Sequence, residues 1–147
     1  MLFRSLGGGD GVLAAELLRR PDTAIVDVVE IDPVVLRLAR EPGFLALNRG
    51  ALDDPKVQVH VADAMTFIRG KSELYDAAFI DLTYPFDFDS ARFYSVEFLR
   101  VVCRSLAPNG ILVAGSPFDL VDSPQEDLGM LVDATLAAAE FRNRSEE

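Results

Sequence analysis

Cysteine, histidine and tryptophan are nearly absent from this sequence, which has one Cys, one His and no Trp in 147 residues. A single cysteine excludes an intramolecular disulfide, as is usual in a reducing cytoplasm. Cys103 lies in an apolar, helix-like stretch and is predicted to be a buried packing residue. His60 stands between two valines and is predicted to be a strand residue rather than a general base. Because Cys and His are so few, no cluster with metal-ligand spacing exists, and we expect no metal site.

Basic residues are also scarce, since 14 Lys and Arg stand against 24 Asp and Glu and the net charge is −10. This balance argues against nucleic acid and anionic lipid as partners, because both bind basic protein faces. It is compatible with a cationic ligand. No apolar run reaches the roughly 18 residues that span a bilayer, and no signal-peptide pattern is visible. We therefore expect a chain without a membrane segment, located in the cytoplasm.

Short apolar runs alternate with helix-like patterns along the chain. The predicted strands are Ala24–Glu30, Val57–Val61, Tyr75–Asp81 and Ile111–Gly115. The predicted helices are Val12–Arg20, Pro33–Ala39, Ala64–Arg69, Tyr94–Leu106 and Glu126–Glu140. Asp32 is predicted to cap the second helix, and Pro108–Gly110 to turn the chain into the last strand. The alternation predicts one α/β domain, a parallel sheet with helices on both faces.

Both ends of this domain are expected to be incomplete. Only Met1–Leu6 precedes the first glycine, and Arg4-Ser5 would interrupt what should be the most buried strand of the sheet. We therefore expect residues 1–5 to be a non-native stub. At the other end a polar tail, Arg142–Glu147, follows the last predicted helix without a further strand, which would leave an exposed sheet edge.

A glycine-rich loop, Gly7–Gly11 (GGGDG), precedes the first predicted helix. Glycines there permit a tight turn and a close approach of backbone to a ligand, although a plain turn is the alternative interpretation. The dinucleotide fingerprint G-x-G-x-x-G fails because position 12 is Val12, and no Gly-Lys-Ser/Thr follows as in a phosphate P-loop. The pattern is therefore G-x-G-x-G.

Two acidic residues follow the loop at the ends of successive predicted strands. Glu30 stands about 20 residues after the loop, where an acid can accept hydrogen bonds from both hydroxyls of a ribose. A solvent-exposed strand end is the alternative. Asp63 ends the next strand, at the position that faces the adenine edge in nucleoside sites of this architecture. Alternatively, Asp63 caps the helix Ala64–Arg69. The glycine loop and Glu30 together predict a nucleoside-binding site.

In order and spacing, five motifs together resemble the spermidine synthase family. They are Gly7–Gly11 (GGGDG), Val29–Pro33 (VEIDP), Leu52–Val57 (LDDPKV), Asp63-Ala64 and Asp81-Leu82-Thr83. The resemblance implies a Rossmann-like, methyltransferase-type sheet. It also implies aminopropyl transfer from decarboxylated S-adenosylmethionine to an amine such as putrescine, with methylthioadenosine as product and no tightly bound cofactor. The stretch Asn48–Leu52 (NRGAL) is similar to a subgroup whose synthase-like domain follows membrane helices, so the chain could be the cytosolic part of a membrane-attached protein.

The resemblance also implies roles for single residues. The donor nucleoside would contact Gly7, Gly9, Gly11, Glu30, Asp63 and Ala64, with Glu30 on the ribose and Asp63 and Ala64 on the adenine. Asp10 would bind the amine end of the aminopropyl group or of the polyamine. Asp81 would be the catalytic acid of the family's D-x-x-D-P motif, since a carboxylate can position an amine and accept its proton. Relatives are commonly dimers or tetramers, so the chain could form a homodimer, but the sequence does not reveal the oligomeric state.

The match departs from the family at Tyr84, which stands in place of the second aspartate of that motif. A phenol is neutral at pH 7, so Tyr84 would contact the amine by a hydrogen bond or a cation–π interaction. The family's N-terminal β-rich segment is not part of the sequence, so we expect the isolated chain to catalyse poorly. Two alternatives to an aminopropyltransferase remain. The domain could be an S-adenosylmethionine-dependent methyltransferase or a non-catalytic nucleoside-binding module.

Overall fold

A computed structural model of the chain describes residues 1–69, 74–82, 88–114, 135 and 138–139. These residues form a parallel sheet of five strands in the spatial order β3-β2-β1-β4-β5. The strands are β1 (Leu2–Gly7), β2 (Ile25–Glu30), β3 (Val57–Val61), β4 (Tyr75–Asp81) and β5 (Leu106–Ala114). The helices are α1 (Val12–Leu18), α2 (Pro33–Leu38), α3 (Pro42–Asn48), α4 (Ala64–Arg69), α5 (Phe88–Ala91) and α6 (Val96–Arg104). Two short 3₁₀ helices span Ala51–Asp53 and Arg92–Tyr94.

Helices cover both faces of the sheet, and each face has its own hydrophobic core. On one face α1, α2 and the first 3₁₀ helix pack on residues such as Phe3, Val26 and Val28. On the other face α4 and α6 pack on Leu6 and Val29. Strand β2 is apolar at most positions because both of its faces are covered. The predicted α/β architecture is therefore confirmed.

The strand order reverses between β1 and β4, and this switch point places the candidate site. The chain passes from β1 to β2 to β3 in one direction and then returns to β4 on the other side of β1. Gly7 at the end of β1 is in register with Asp81 at the end of β4. In sheets of this kind, ligands bind outside the carboxyl ends of the strands at such a point.

Arg4 and Ser5 do not interrupt the first strand, so that expectation is wrong. Both residues are buried in β1, the central strand of the sheet. The Arg4 guanidinium stacks on the Tyr75 ring, 3.7 Å from its centroid, and lies 4.0 Å from a carboxylate oxygen of Asp27. The Ser5 hydroxyl donates a hydrogen bond of 3.0 Å to the Gly7 carbonyl. Arg4 is thus accommodated by the Tyr75 ring and the Asp27 carboxylate, and Ser5 by the Gly7 carbonyl. The non-native origin of residues 1–5 stays a prediction.

Several element boundaries differ from the sequence prediction. Helix α3, which starts at Pro42, was not predicted. Helix α6 is shorter than the predicted Tyr94–Leu106, because the extended Ser95 caps its start and Leu106 already belongs to β5. The predicted turn Pro108–Gly110 lies inside β5, where the pairing with β4 is irregular. Most of the predicted helix Glu126–Glu140 and the tail 142–147 lie outside the described residues.

Other local predictions can be compared with the structure. Asp32 caps α2, since it accepts a 2.7 Å hydrogen bond from the Val34 amide, as predicted. His60 is a β3 residue, as predicted, and is bonded to Asp27. Cys103 is only half-buried on α6, so its prediction as a buried residue is wrong. In the described part of the chain no helix is both long and apolar enough to cross a membrane.

Candidate functional site

The glycine loop at the end of β1 is in direct contact with the ends of β2 and β4, the two strands that flank β1. A Cβ atom at Gly7 would lie 2.0 Å from the Asp81 carbonyl oxygen, and Gly7 has φ +86°. A Cβ atom at Gly9 would lie 2.5 Å from Cγ of Glu30. The turn is closed by the Gly11 amide, which donates a 3.1 Å hydrogen bond to the Gly8 carbonyl. Glycine is therefore required for backbone conformation at Gly7 and for close approach at Gly9.

Glu30 is held in a fixed orientation at the end of β2. The Gly9 amide donates to one carboxylate oxygen at 3.2 Å, and the Asp32 amide donates to the other at 2.9 Å. Each carboxylate oxygen has two acceptor positions, so both oxygens keep capacity for a further donor. This arrangement suits a pair of adjacent hydroxyl groups, as on a ribose.

Asp10, Glu30 and Asp81 form one electrostatic cluster around the loop. Partial shielding from water, followed by the negative charges of Asp10 and Glu30, raises the pKa of Asp81. Asp10 also accepts a 3.0 Å hydrogen bond from the Val12 amide at the start of α1. Three of the predicted acids are thus close enough to influence one another, and a cation between them would be stabilised.

Asp63 has a different environment from these three acids. One of its oxygens accepts hydrogen bonds from the Thr66 amide at 2.9 Å and the Thr66 hydroxyl at 3.0 Å. The other accepts a 2.6 Å hydrogen bond from Arg92. Burial alone would raise the pKa of Asp63, but the Thr66 hydrogen bonds and the Arg92 charge outweigh it and lower the pKa. Asp63 therefore caps the helix that begins at the buried Ala64. Its contact with adenine stays a prediction.

The ion pair between Asp63 and Arg92 was not foreseen from the sequence. The two side chains are 29 residues apart, and the pair connects the turn after β3 to the 3₁₀ helix before α6. The Arg92 guanidinium also lies 4.6 Å from the centroid of the Phe93 ring, which packs edge-on against Phe98. Tyr84 lies outside the described residues. Among the residues that are described, no three acidic, Cys or His side chains are arranged to hold a metal ion.

Asn48 is a second residue near the site to which the sequence analysis assigned no role, although it begins the stretch Asn48–Leu52 noted there. It is 1% exposed, and its side-chain amide donates a 2.7 Å hydrogen bond to the Asp10 carbonyl. The local pattern is a polar residue at the end of the apolar stretch Phe44–Leu47. Such a residue is equally common at an exposed helix end, so the sequence could not reveal its burial.

Comparisons with known proteins bear on the family to which this chain belongs. The spermine/spermidine synthase domain family matches residues 4–126. Polyamine aminopropyltransferase 1 of Streptomyces coelicolor is 45% identical over 117 residues, which cover 77% of this chain and 22% of that protein. The chain thus spans about a fifth of the length of the curated relatives it matches.

Two solved structures share the fold. Spermidine synthase in complex with the transition-state analogue AdoDATO superposes with a TM-score of 0.76 at 23% identity, covering 95% of this chain and 45% of that one. Human methyltransferase-like protein 13 in complex with SAH superposes with a TM-score of 0.62 at 17% identity, covering 100% of this chain and 85% of that one. Since the family match spans most of its residues, the chain belongs to the spermine/spermidine synthase domain family.

Proposed function

We propose that this domain binds decarboxylated S-adenosylmethionine and transfers its aminopropyl group to an amine such as putrescine. The observation that carries the proposal is the cluster of Asp10, Glu30 and Asp81 around a glycine turn at the switch point of the sheet. Relatives named polyamine aminopropyltransferase support it. The chain spans about a fifth of the length of those relatives, so the transfer activity is proposed for the whole protein that contains this domain.

In the proposed reaction the acids hold a cationic donor and a cationic acceptor. Glu30 accepts hydrogen bonds from the ribose hydroxyls, and Asp10 pairs with the ammonium group of the aminopropyl chain. The attacking nitrogen of the acceptor is in its neutral form, while the amine at the other end of the acceptor stays protonated. This nitrogen attacks the aminopropyl methylene carbon bonded to the sulfonium, so that an N–C bond forms while that C–S bond breaks. Sulfur keeps the electron pair, and methylthioadenosine leaves. The new ammonium group then loses a proton.

Asp81 is the proposed acceptor of that proton. Its raised pKa makes it a better base than an ordinary aspartate. At the other end of the site, Asp63 and Ala64 are proposed to contact the adenine. The neutral Tyr84 is proposed to contact the acceptor amine by a hydrogen bond or a cation–π interaction.

The proposal is tested by replacing Asp81 in the full-length protein. Asp81→Asn should abolish aminopropyl transfer while binding of methylthioadenosine, measured by calorimetry, changes little. Glu97→Gln is the matched control, because Glu97 is an exposed acid on α6 outside the cluster. Transfer rates that stay at the wild-type level in Asp81→Asn would refute the role assigned to Asp81.

A methyltransferase is the second candidate, because human methyltransferase-like protein 13 shares the fold. S-adenosylmethionine carries a carboxylate that its decarboxylated form lacks. That carboxylate would meet the negative charges of Asp10 and Asp81, so the cluster favours the decarboxylated donor. Calorimetry with both donors separates the candidates, since tighter binding of S-adenosylmethionine would favour the methyltransferase. Nucleoside binding by the full-length protein without any transfer would favour a non-catalytic module.

A further inference from the structure

Asn48 forms a buried connection between three segments of the chain. It is the last residue of α3 and is 1% exposed. Its Nδ2 donates hydrogen bonds to the carbonyls of Asp10 and Ala39, both at 2.7 Å. Its Oδ1 accepts a hydrogen bond of 2.9 Å from the Gly50 amide. Both N–H donors and one acceptor of the side chain are therefore used, and it joins the glycine loop to the ends of α2 and α3.

The backbone after Asn48 has an unusual conformation that supports this connection. Arg49 has φ +55° and Gly50 has φ +70°, so two consecutive residues are left-handed. A left-handed conformation is unfavourable for a residue with a side chain, and Arg49 is the only such non-glycine residue among those described. The conformation returns the Gly50 amide to Oδ1 of Asn48.

The glycine loop rests directly on this segment. A Cβ atom at Gly11 would lie 2.9 Å from Cγ of Leu52 and 3.4 Å from Cβ of Asn48. The Asp10 carbonyl is held by Asn48, while the Asp10 carboxylate accepts a 3.0 Å hydrogen bond from the Val12 amide. Fixing the carbonyl restricts the backbone of Asp10, and this restricts the direction in which its carboxylate points.

We propose that Asn48 is a positioning residue that acts through Asp10. The inference rests on the proposed function, in which Asp10 pairs with the ammonium group of the donor. Only an amide of this length provides two donors and one acceptor at once. An aspartate would place a carboxylate oxygen against two carbonyls, and an alanine would leave both carbonyls without this donor.

The first test measures the loop without any ligand, by hydrogen–deuterium exchange in the full-length protein. In Asn48→Ala, peptides covering residues 6–13 should exchange at least about tenfold faster than in the wild type, since a loop held by fewer hydrogen bonds opens more often. Ser105→Ala is the matched control, because Ser105 is also buried and donates a single 2.7 Å hydrogen bond to a backbone carbonyl, that of Val102. Exchange of residues 6–13 should be unchanged in the control.

The second test measures two ligands that differ in the ammonium group. Decarboxylated S-adenosylmethionine has this group and methylthioadenosine lacks it, so the ratio of their dissociation constants reports on Asp10. Asn48→Ala should shift the ratio about tenfold against the charged ligand, a loss typical of a hydrogen bond to a charged group. Asp10→Asn should shift it at least as much, and the double variant should shift it no further than Asp10→Asn alone.

The outcomes separate the inference from the proposed function. If Asn48 has only a structural role, Asn48→Ala should lower stability, as Ser105→Ala does, but leave the exchange of residues 6–13 and the ratio of the two dissociation constants unchanged. That result would overturn the inference. If the wild type binds neither ligand, the proposed function fails, while the exchange test still decides whether Asn48 fixes the loop. If Asn48→Ala does not fold, Asn48→Ser retains one donor and should show the same changes to a smaller extent.

Discussion

Replacing Arg4 by leucine together with Asp27 by asparagine is expected to stabilise the fold. Arg4 is 0% exposed in the central strand, and none of its three guanidinium nitrogens has a hydrogen-bond partner among the described residues. Its nearest counter-charge, a carboxylate oxygen of Asp27, is 4.0 Å away. Removing a charged group from water without hydrogen bonds is unfavourable, and a pair at this distance recovers only part of the loss.

The expected magnitude follows from what each substitution leaves behind. Exchanging a buried ion pair for residues without charge is often neutral or stabilises by about 1–4 kcal/mol. Asp27→Asn alone should destabilise by about 3–5 kcal/mol, because it leaves the Arg4 charge buried without a counter-ion. Arg4→Leu alone should be milder, because Asp27 still accepts hydrogen bonds from His60, at 2.8 Å, and from Tyr75.

The assay is a double-substitution cycle, with the free energy of unfolding measured in urea and by thermal denaturation. Each kcal/mol corresponds to a shift in Tm of roughly 2–4 °C for a chain of about 150 residues. Arg19→Leu with Glu16→Gln is the control, since this pair is more than half exposed and should change stability by less than about 1 kcal/mol. If the doubly substituted protein is less stable than the wild type by more than about 1 kcal/mol, Arg4 contributes stability and the reasoning is refuted.

Three further predictions concern the site and its surroundings. Gly9→Ala should weaken methylthioadenosine binding about tenfold, because its Cβ would lie 2.5 Å from Cγ of Glu30, whereas Gly43→Ala, with no described atom within 4 Å, should leave calorimetric affinity unchanged. Putrescine affinity should fall as the pH drops through the raised pKa of Asp81, since the carboxylate is ionised only above that pKa, and Asp81→Asn should remove this dependence. Burial and a hydrogen bond to a carboxylate raise the pKa of Tyr75 to about 12. Stability should therefore decline from pH of about 10 upward, as the unfolded phenol ionises first, and Tyr75→Phe should lose this decline in urea titrations.

The sequence could predict those parts of the site that depend on local order along the chain. Alternating patterns predict the parallel sheet, and the carboxyl ends of its strands necessarily meet at one edge. Glu30 and Asp81 end their strands and Asp10 lies in the loop after β1, so their proximity follows from the strand order. The fourth expected acid, Asp63, follows the end of β3, but its ion pair with Arg92 could not be predicted.

Contacts between side chains far apart in the sequence could not be predicted. Asn48 is 38 residues from Asp10, and the pattern around Asn48 indicates only an apolar helix face. Arg4 was expected to interrupt a strand because hydrophobic patterning treats a charge as incompatible with a core. The ring of Tyr75 and the carboxylate of Asp27, which accommodate Arg4, come from strands β4 and β2 and become neighbours only in the folded sheet.

The opposite pKa directions of Asp81 and Asp63 distinguish the two ends of the site. At the Asp81 end, burial and the negative charges of Asp10 and Glu30 raise the pKa, so this end gains most from a bound cation. At the Asp63 end, Arg92 already supplies the positive charge and the pKa is lowered, so a second cation would be repelled while a neutral hydrogen-bond donor would be tolerated. A ligand that fits both ends is positively charged on one side and neutral on the other. An adenosyl sulfonium with an aminopropyl chain has this distribution of charge, because its base is neutral while its sulfur and amine are cationic.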